Sequence, residues 1–168
     1  MEYISAQDVL RQLDNEDRLL RYPKPLTEEI AKTNSIDTTH EVTLLDMAVM
    51  KNDTRTAELI LSDGCKRVVP ALEIAVSNPG NAEMVDLICK NRHVSQNDKN
   101  CLLLQAVVLG EKDDVEVLLR HGAKPKEVVN SFSLGETVVE TAKKKGFNDI
   151  AQMLESSMAK DLGKGNDR

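Results

Sequence analysis

The sequence predicts an all-α fold, a solenoid of short helical repeats with a helical cap at its N-terminal end. Three observations carry this expectation. The stretch "VEVLLRHGAKP" (Val115 to Pro125) ends an amphipathic helix on a glycine and turns, and "AELILSDGC" (Ala57 to Cys65) has the same layout. Laid against itself, the chain yields four helix starts: "TLLDMAV" at Thr43, "PALEIAV" at Pro70, "CLLLQAV" at Cys101 and "TVVETAK" at Thr137. Aromatic residues make up only 2% of a chain that is 40% hydrophobic, so the core must be built from aliphatic side chains, which disfavours sandwiches and barrels.

Residues 1–40 read as the N-terminal cap. Ser5 with Asp8 three places on starts a helix, and Val9, Leu10, Leu13, Leu19 and Leu20 form its apolar stripe. "YPKP" breaks that helix, and Thr27 starts a shorter one through Lys32. A degenerate fifth repeat is the alternative for this segment. Four units then span 41–67, 68–98, 99–133 and 134–158. Each has an apolar third place (Leu45, Leu72, Leu103, Val139) and an alanine at the sixth (Ala48, Ala75, Ala106, Ala142). From that alanine to the second apolar helix (Ala57, Val85, Val115, Ala151) the offsets are 9, 10, 9 and 9, whereas successive starts lie 27, 31 and 36 apart. Tight spacing inside units with drift between them fits a helix–turn–helix joined by variable loops. Gly110, Gly146 and Asn52 suit the turn inside a unit, and Gly64 and Gly122 stop second helices. The second unit has Arg92 instead of the terminal glycine and an inserted "NPGN" turn, Asn78 to Asn81. Residues 159–168 turn polar and read as a flexible tail.

These residues resemble ankyrin repeats. The match rests on "TxLxxA", the mid-turn Gly or Asn, and "VxxLLxxGA", with "VEVLLRHGAKP" and "TVVETAKKKGFNDIAQMLES" the nearest in pattern, and it covers about 41–158. The chain departs from the family in detail. The family's proline at the second place is Leu44, Ala71, Leu102 and Val138, and its histidine at the fourth is Asp46, Glu73, Leu104 and Glu140. The hydrogen-bond ties the family builds from its Thr/His pair must therefore be weaker or different here. The tetratricopeptide repeat fits poorly, because its Trp and Tyr landmarks are missing.

Composition bounds the function. A net charge of −6 and a pI near 5.1 give no global attraction to phosphate backbones or anionic membranes, so neither nucleic acid nor membrane is an expected partner. No apolar run is long enough to span a bilayer, and "MEYISAQDVLRQ" lacks a secretion signal. Cys65, Cys89 and Cys101 are odd in number and dispersed, as in a reducing cytosol. The expected setting is cytoplasmic or nuclear, or a host cytosol if the chain is a pathogen effector.

Chemistry is thinly represented. Cys89 and His93 lie four apart with Cys101 following, a weak alternative metal or small-molecule site, since a structural zinc wants four ligands and no CxxC exists. His40, His93 and His121 have no nucleophile partner, and no GxSxG, Walker or dinucleotide fingerprint appears. "LGKG" lies in the polar tail with no strand before it. "EEI" and "EKDD" place paired carboxylates on a cap and a turn, where they read as solvated, and Lys143 to Lys145 suit a helix C-terminus. No catalytic residue and no cofactor is expected.

What remains is surface. The resemblance implies that a protein partner meets the loop tips and the concave face of the first helices. The eighth and ninth places of each unit fall there: Met50 and Lys51, Ser77 and Asn78, Val108 and Leu109, Lys144 and Lys145. Met50, Val108 and Leu109 would make an apolar middle and the lysines a basic lip. The alternative is that "QAVVLG" rotates to pack Val108 and Leu109 inward. The expected function is non-enzymatic binding of another protein, as adaptor, inhibitor or effector, by a chain that is monomeric alone.

Overall fold

A computed structural model of the protein describes residues 43–62, 64–130 and 135–163. The cap expected over 1–40, with His40 and the "EEI" carboxylates, lies outside the described residues. The described chain is predominantly helical. Its elements are α1 (Leu44–Met50), α2 (Thr54–Ser62), α3 (Val69–Ser77), α4 (Ala82–Cys89), α5 (Gln96–Leu109), α6 (Lys112–Arg120), α7 (Val138–Lys144) and α8 (Asn148–Gly163). Between α6 and α7 come a 3-10 turn, Pro125–Glu127, and two short strands, β1 (Val129–Asn130) and β2 (Glu136–Thr137). The strands pair antiparallel, Val129 opposite Thr137 and Asn130 opposite Glu136.

Helices pack in consecutive pairs: α1 on α2, α3 on α4, α5 on α6 and α7 on α8. The odd-numbered helices also pack in succession, α1 to α3 to α5 to α7, and the even-numbered ones do likewise, giving two layers. The core lies between the layers and runs from Leu45 through Leu72, Leu103 and Leu118 to Leu154. Ala48, Ala75, Ala106 and Ala142 are all buried, so their small side chains sit where helices press together.

Local chemistry sets the helix starts. Thr43 accepts from the Asp46 amide at 3.1 Å while the Asp46 carboxylate accepts from the Thr43 amide at 2.8 Å. The same reciprocal cap joins Thr137 to Glu140 and Ser95 to Asp98. Two orphan amides of each helix are thereby satisfied. Asp46 and Glu140 thus cap their own helices.

Several boundaries differ from the sequence reading. The first helix of the third unit begins at Gln96, not near Cys101, because the Ser95–Asp98 cap nucleates it earlier. Cys101 is consequently an exposed residue inside that helix. In the last unit Val138 is fully buried and Val139 only half-buried, although Val139 occupies the apolar third place. The strand pair was not anticipated. The last helix continues to Gly163, past the expected start of the tail at 159, and its Met158 remains half-buried.

Turns between paired helices use the left-handed region. Gly110 has φ +79° and Asn52 φ +52°, the latter the only non-glycine there among the described residues. At Gly110 the need is double, because a Cβ would sit 2.7 Å from the ring of Phe147.

Candidate interaction surface

The surface is built at the C-terminal ends of the odd-numbered helices. Ser77, the last residue of α3, donates its hydroxyl to the Glu73 carbonyl at 2.7 Å and accepts from the Gln105 amide nitrogen at 2.7 Å. Gln105 is one turn before the end of α5, so this bond holds the two helix ends side by side. On the other flank the Phe147 ring lies over Gly110, which seats the turn after α7 against the turn after α5. These contacts bring Ser77 and Asn78, Val108 and Leu109, and Lys144 and Lys145 along one edge. Met50 and Lys51 end α1, which packs on α3.

Exposure differs along the edge. Val108 is 37% and Leu109 48% exposed, the two exposed large hydrophobics among the described residues. The inward rotation considered for "QAVVLG" is thereby excluded, because Leu103, Ala106 and Val107 fill the core side of α5. Met50 is half-buried, so it contributes less open apolar area than the sequence suggested. Asn78 is half-buried, and Lys51, Ser77, Lys144 and Lys145 are exposed. Lys144 stands 3.8 Å from the Glu136 carboxylate, a loose contact for a side chain 74% exposed. Neighbouring Lys143 instead binds Glu155.

Away from this edge, side chains tie one helix pair to the next. Asp86 on α4 receives Lys90 at 2.8 Å, Arg120 at 3.0 Å and His121 at 2.8 Å. Hydrogen bonds from Lys90 and His121 hold its carboxyl down to about 2. Lys112 meets Asp149 at 3.0 Å. Buried Asn100 accepts from the Lys124 amide at 2.8 Å and donates to Glu127 at 3.1 Å, while Gln96 donates to the Gly122 carbonyl at 2.8 Å. Apart from the Asp86–Lys90 pair at i,i+4, these pairings span 24 to 37 residues, farther than any spacing rule reaches.

The "EKDD" carboxylates are not uniformly solvated. Glu111 is half-buried and Asp113 exposed, but Asp114 is only 2% exposed and its Oδ2 has no hydrogen-bond partner. Burial, reinforced by Glu111 and Asp113, pushes its carboxyl up to about 7. The correction has a simple cause: a helix beginning at Lys112 turns its third residue inward, whatever its polarity.

The weak metal alternative loses its geometry. Among the described residues no three His, Cys, Asp or Glu side chains gather to hold a metal ion. Cys89 is buried, and that burial pushes its thiol up to about 12. Cys101 is exposed on α5, and the His93 ring lies 3.4 Å from the Arg92 side chain. No helix among the described residues is long and apolar enough to cross a membrane. Comparison with family models, with curated proteins and with solved structures finds no match to the chain.

Proposed function

We propose that the chain is a non-enzymatic interaction module, an ankyrin-like solenoid that binds a partner protein through the helix-end edge and adjoining loops. The observation that carries this reading is the adjacent exposed pair Val108 and Leu109 at the end of α5. Leaving two aliphatic side chains in water on neighbouring residues forgoes on the order of 1–2 kcal/mol each, and covering them by a partner recovers it. The pair stands on a frame packed from both sides, so little ordering is needed when a partner arrives. Helices paired in two successive layers, buried alanines at equal places and positive φ in the intervening turns support the ankyrin-like reading. As adaptor, inhibitor or effector the module would act by occupying its partner, in a cytosolic or nuclear setting.

The test is affinity capture from lysate of the native source with wild type and a Val108→Asp, Leu109→Asp variant. Circular dichroism should show equal helix content and melting temperature, since both residues face solvent. A partner held by wild type and lost by the variant supports the reading. A partner held equally by both places binding elsewhere.

A further inference from the structure

Resting on that reading, we infer that the turn joining α5 to α6 is a latch worked by one proton: it holds the exposed pair Val108 and Leu109 in place while Asp114 is protonated and loosens when Asp114 ionises. Comparison of the helix starts points to it. Asp46, Asp98 and Glu140 each stand third in their helices, and each accepts the amide of its N-cap threonine or serine. Asp114 stands third in α6, where the matching donor is the Glu111 amide. That amide is already bonded to the Ala106 carbonyl, at 3.0 Å, which closes the turn. No side chain caps α6, and the buried Asp114 Oδ2 is left without a donor.

Neighbouring elements supply no counter-charge. From α4, Cys89 is a buried thiol whose ionised form the Asp114 carboxylate opposes, and Asp86 is held by Lys90, Arg120 and His121. From α5, Lys99 acts on Cys89, and from α8 Asp149 takes Lys112 at 3.0 Å. The charges that act on Asp114 itself are those of Glu111 and Asp113, both of its own sign. Ionised in place, it would be a buried charge with neither donor nor cation, so it must reach water. The nearest way out is the start of α6. Lys112 and Asp113 are exposed and Glu111 half-buried, whereas Val115, Val117 and Leu118 beyond them are buried anchors. Unwinding the first turn therefore hydrates Asp114 without uncovering the core, and the stretch that gives way starts at Gly110, next to Leu109. The Lys112–Asp149 pair, more than half exposed on both sides, opposes this only weakly. Burial and the like-charged neighbours raise the closed-state carboxyl to about 7, so opening should grow about tenfold per pH unit from about 4 to about 7, then level off.

Amide hydrogen exchange by NMR, corrected for the intrinsic rate at each pH, tests the latch on the chain alone. The reporters are Glu111, bonded to Ala106, Val115, bonded to Glu111, and Gly110, bonded to Val107. Their protection is expected to fall about tenfold per pH unit from about pH 5 to about pH 7, and Asp114→Asn should flatten that slope. Low urea should leave these three indifferent while speeding exchange of the Leu72 amide in α3, the mark of local opening. Protection that ignores pH, or a slope that survives in Asp114→Asn, overturns the latch. Urea sensitivity equal to that of Leu72 overturns it too, because the opening is then global unfolding. Gly110 protection kept while Glu111 and Val115 lose theirs overturns the link to the exposed pair. Asp114→Met, after buried Met84 at the matching place, serves if Asp114→Asn fails to fold. Capture from lysate is then repeated at pH 6 and pH 8. Wild type is expected to hold more partner at pH 6, and Asp114→Asn equal amounts at both. Equal capture by wild type overturns the regulation of binding. No capture at either pH counts against the surface reading alone, and the exchange data still decide the latch.

Discussion

Asp114 sets a carboxylate where the matching places of neighbouring pairs hold Met84 and Ile150, both fully buried. Its folded-state pKa near 7 exceeds the 3.8 of an unperturbed aspartate. Between those values the folded chain keeps a proton that the unfolded chain has lost, so stability falls as pH rises from about 4 to about 7. Asp114→Asn should remove that slope. Urea denaturation is expected to find the variant more stable at pH 8 by on the order of a few kcal/mol, with the difference shrinking toward pH 4. Asp86 behaves oppositely: held near 2, it contributes stability above the ordinary aspartate range that is lost as pH falls through about 2. Neither carboxylate was legible in the sequence. "EKDD" has the composition of a solvated turn, and only packing against α4 and α5 reveals which of its acids is turned inward.

At the level of elements, the turns and glycine stops are the most legible, and the N-terminal caps at Thr43, Ser95 and Thr137 and the helix lengths the least. Gly110 and Asn52 declared their turns because few residues tolerate positive φ. Gly110→Ala should cost about 1–2 kcal/mol from the left-handed conformation, plus displacement of the Phe147 ring. Asn52→Gly, by contrast, should be neutral or slightly stabilising in thermal melts. α5 starts ahead of the repeat alignment on Cys101 because "SQND" carries a capping box that nucleates the helix at Ser95. Strands of two residues have no period to detect, so β1 and β2 could not be read in advance. Of the candidate edge, the sequence left Val108 and Leu109 open between exposure and inward packing, and the structure exposes both. The Gln105 bridge to Ser77 was not legible, since its partner is 28 residues away.

Across the whole molecule, each helix pair is stabilised mainly by its neighbours, so a central loss should spread. Leu103 is fully buried in the third pair, and Leu103→Ala should cost about 2–5 kcal/mol in chemical denaturation. The joints between pairs are unequal. The early start of α5 gives it an overhang whose Gln96 and Asn100 grip the connector from Gly122 to Glu127. That overhang works as a bracket. Pulled from its ends in an optical trap, the chain should shed its helix pairs in steps. The bracketed connector should yield late, because its hydrogen bonds share the load and must rupture together. Asn100→Ala should lower the force of that step while leaving the earlier ones in place.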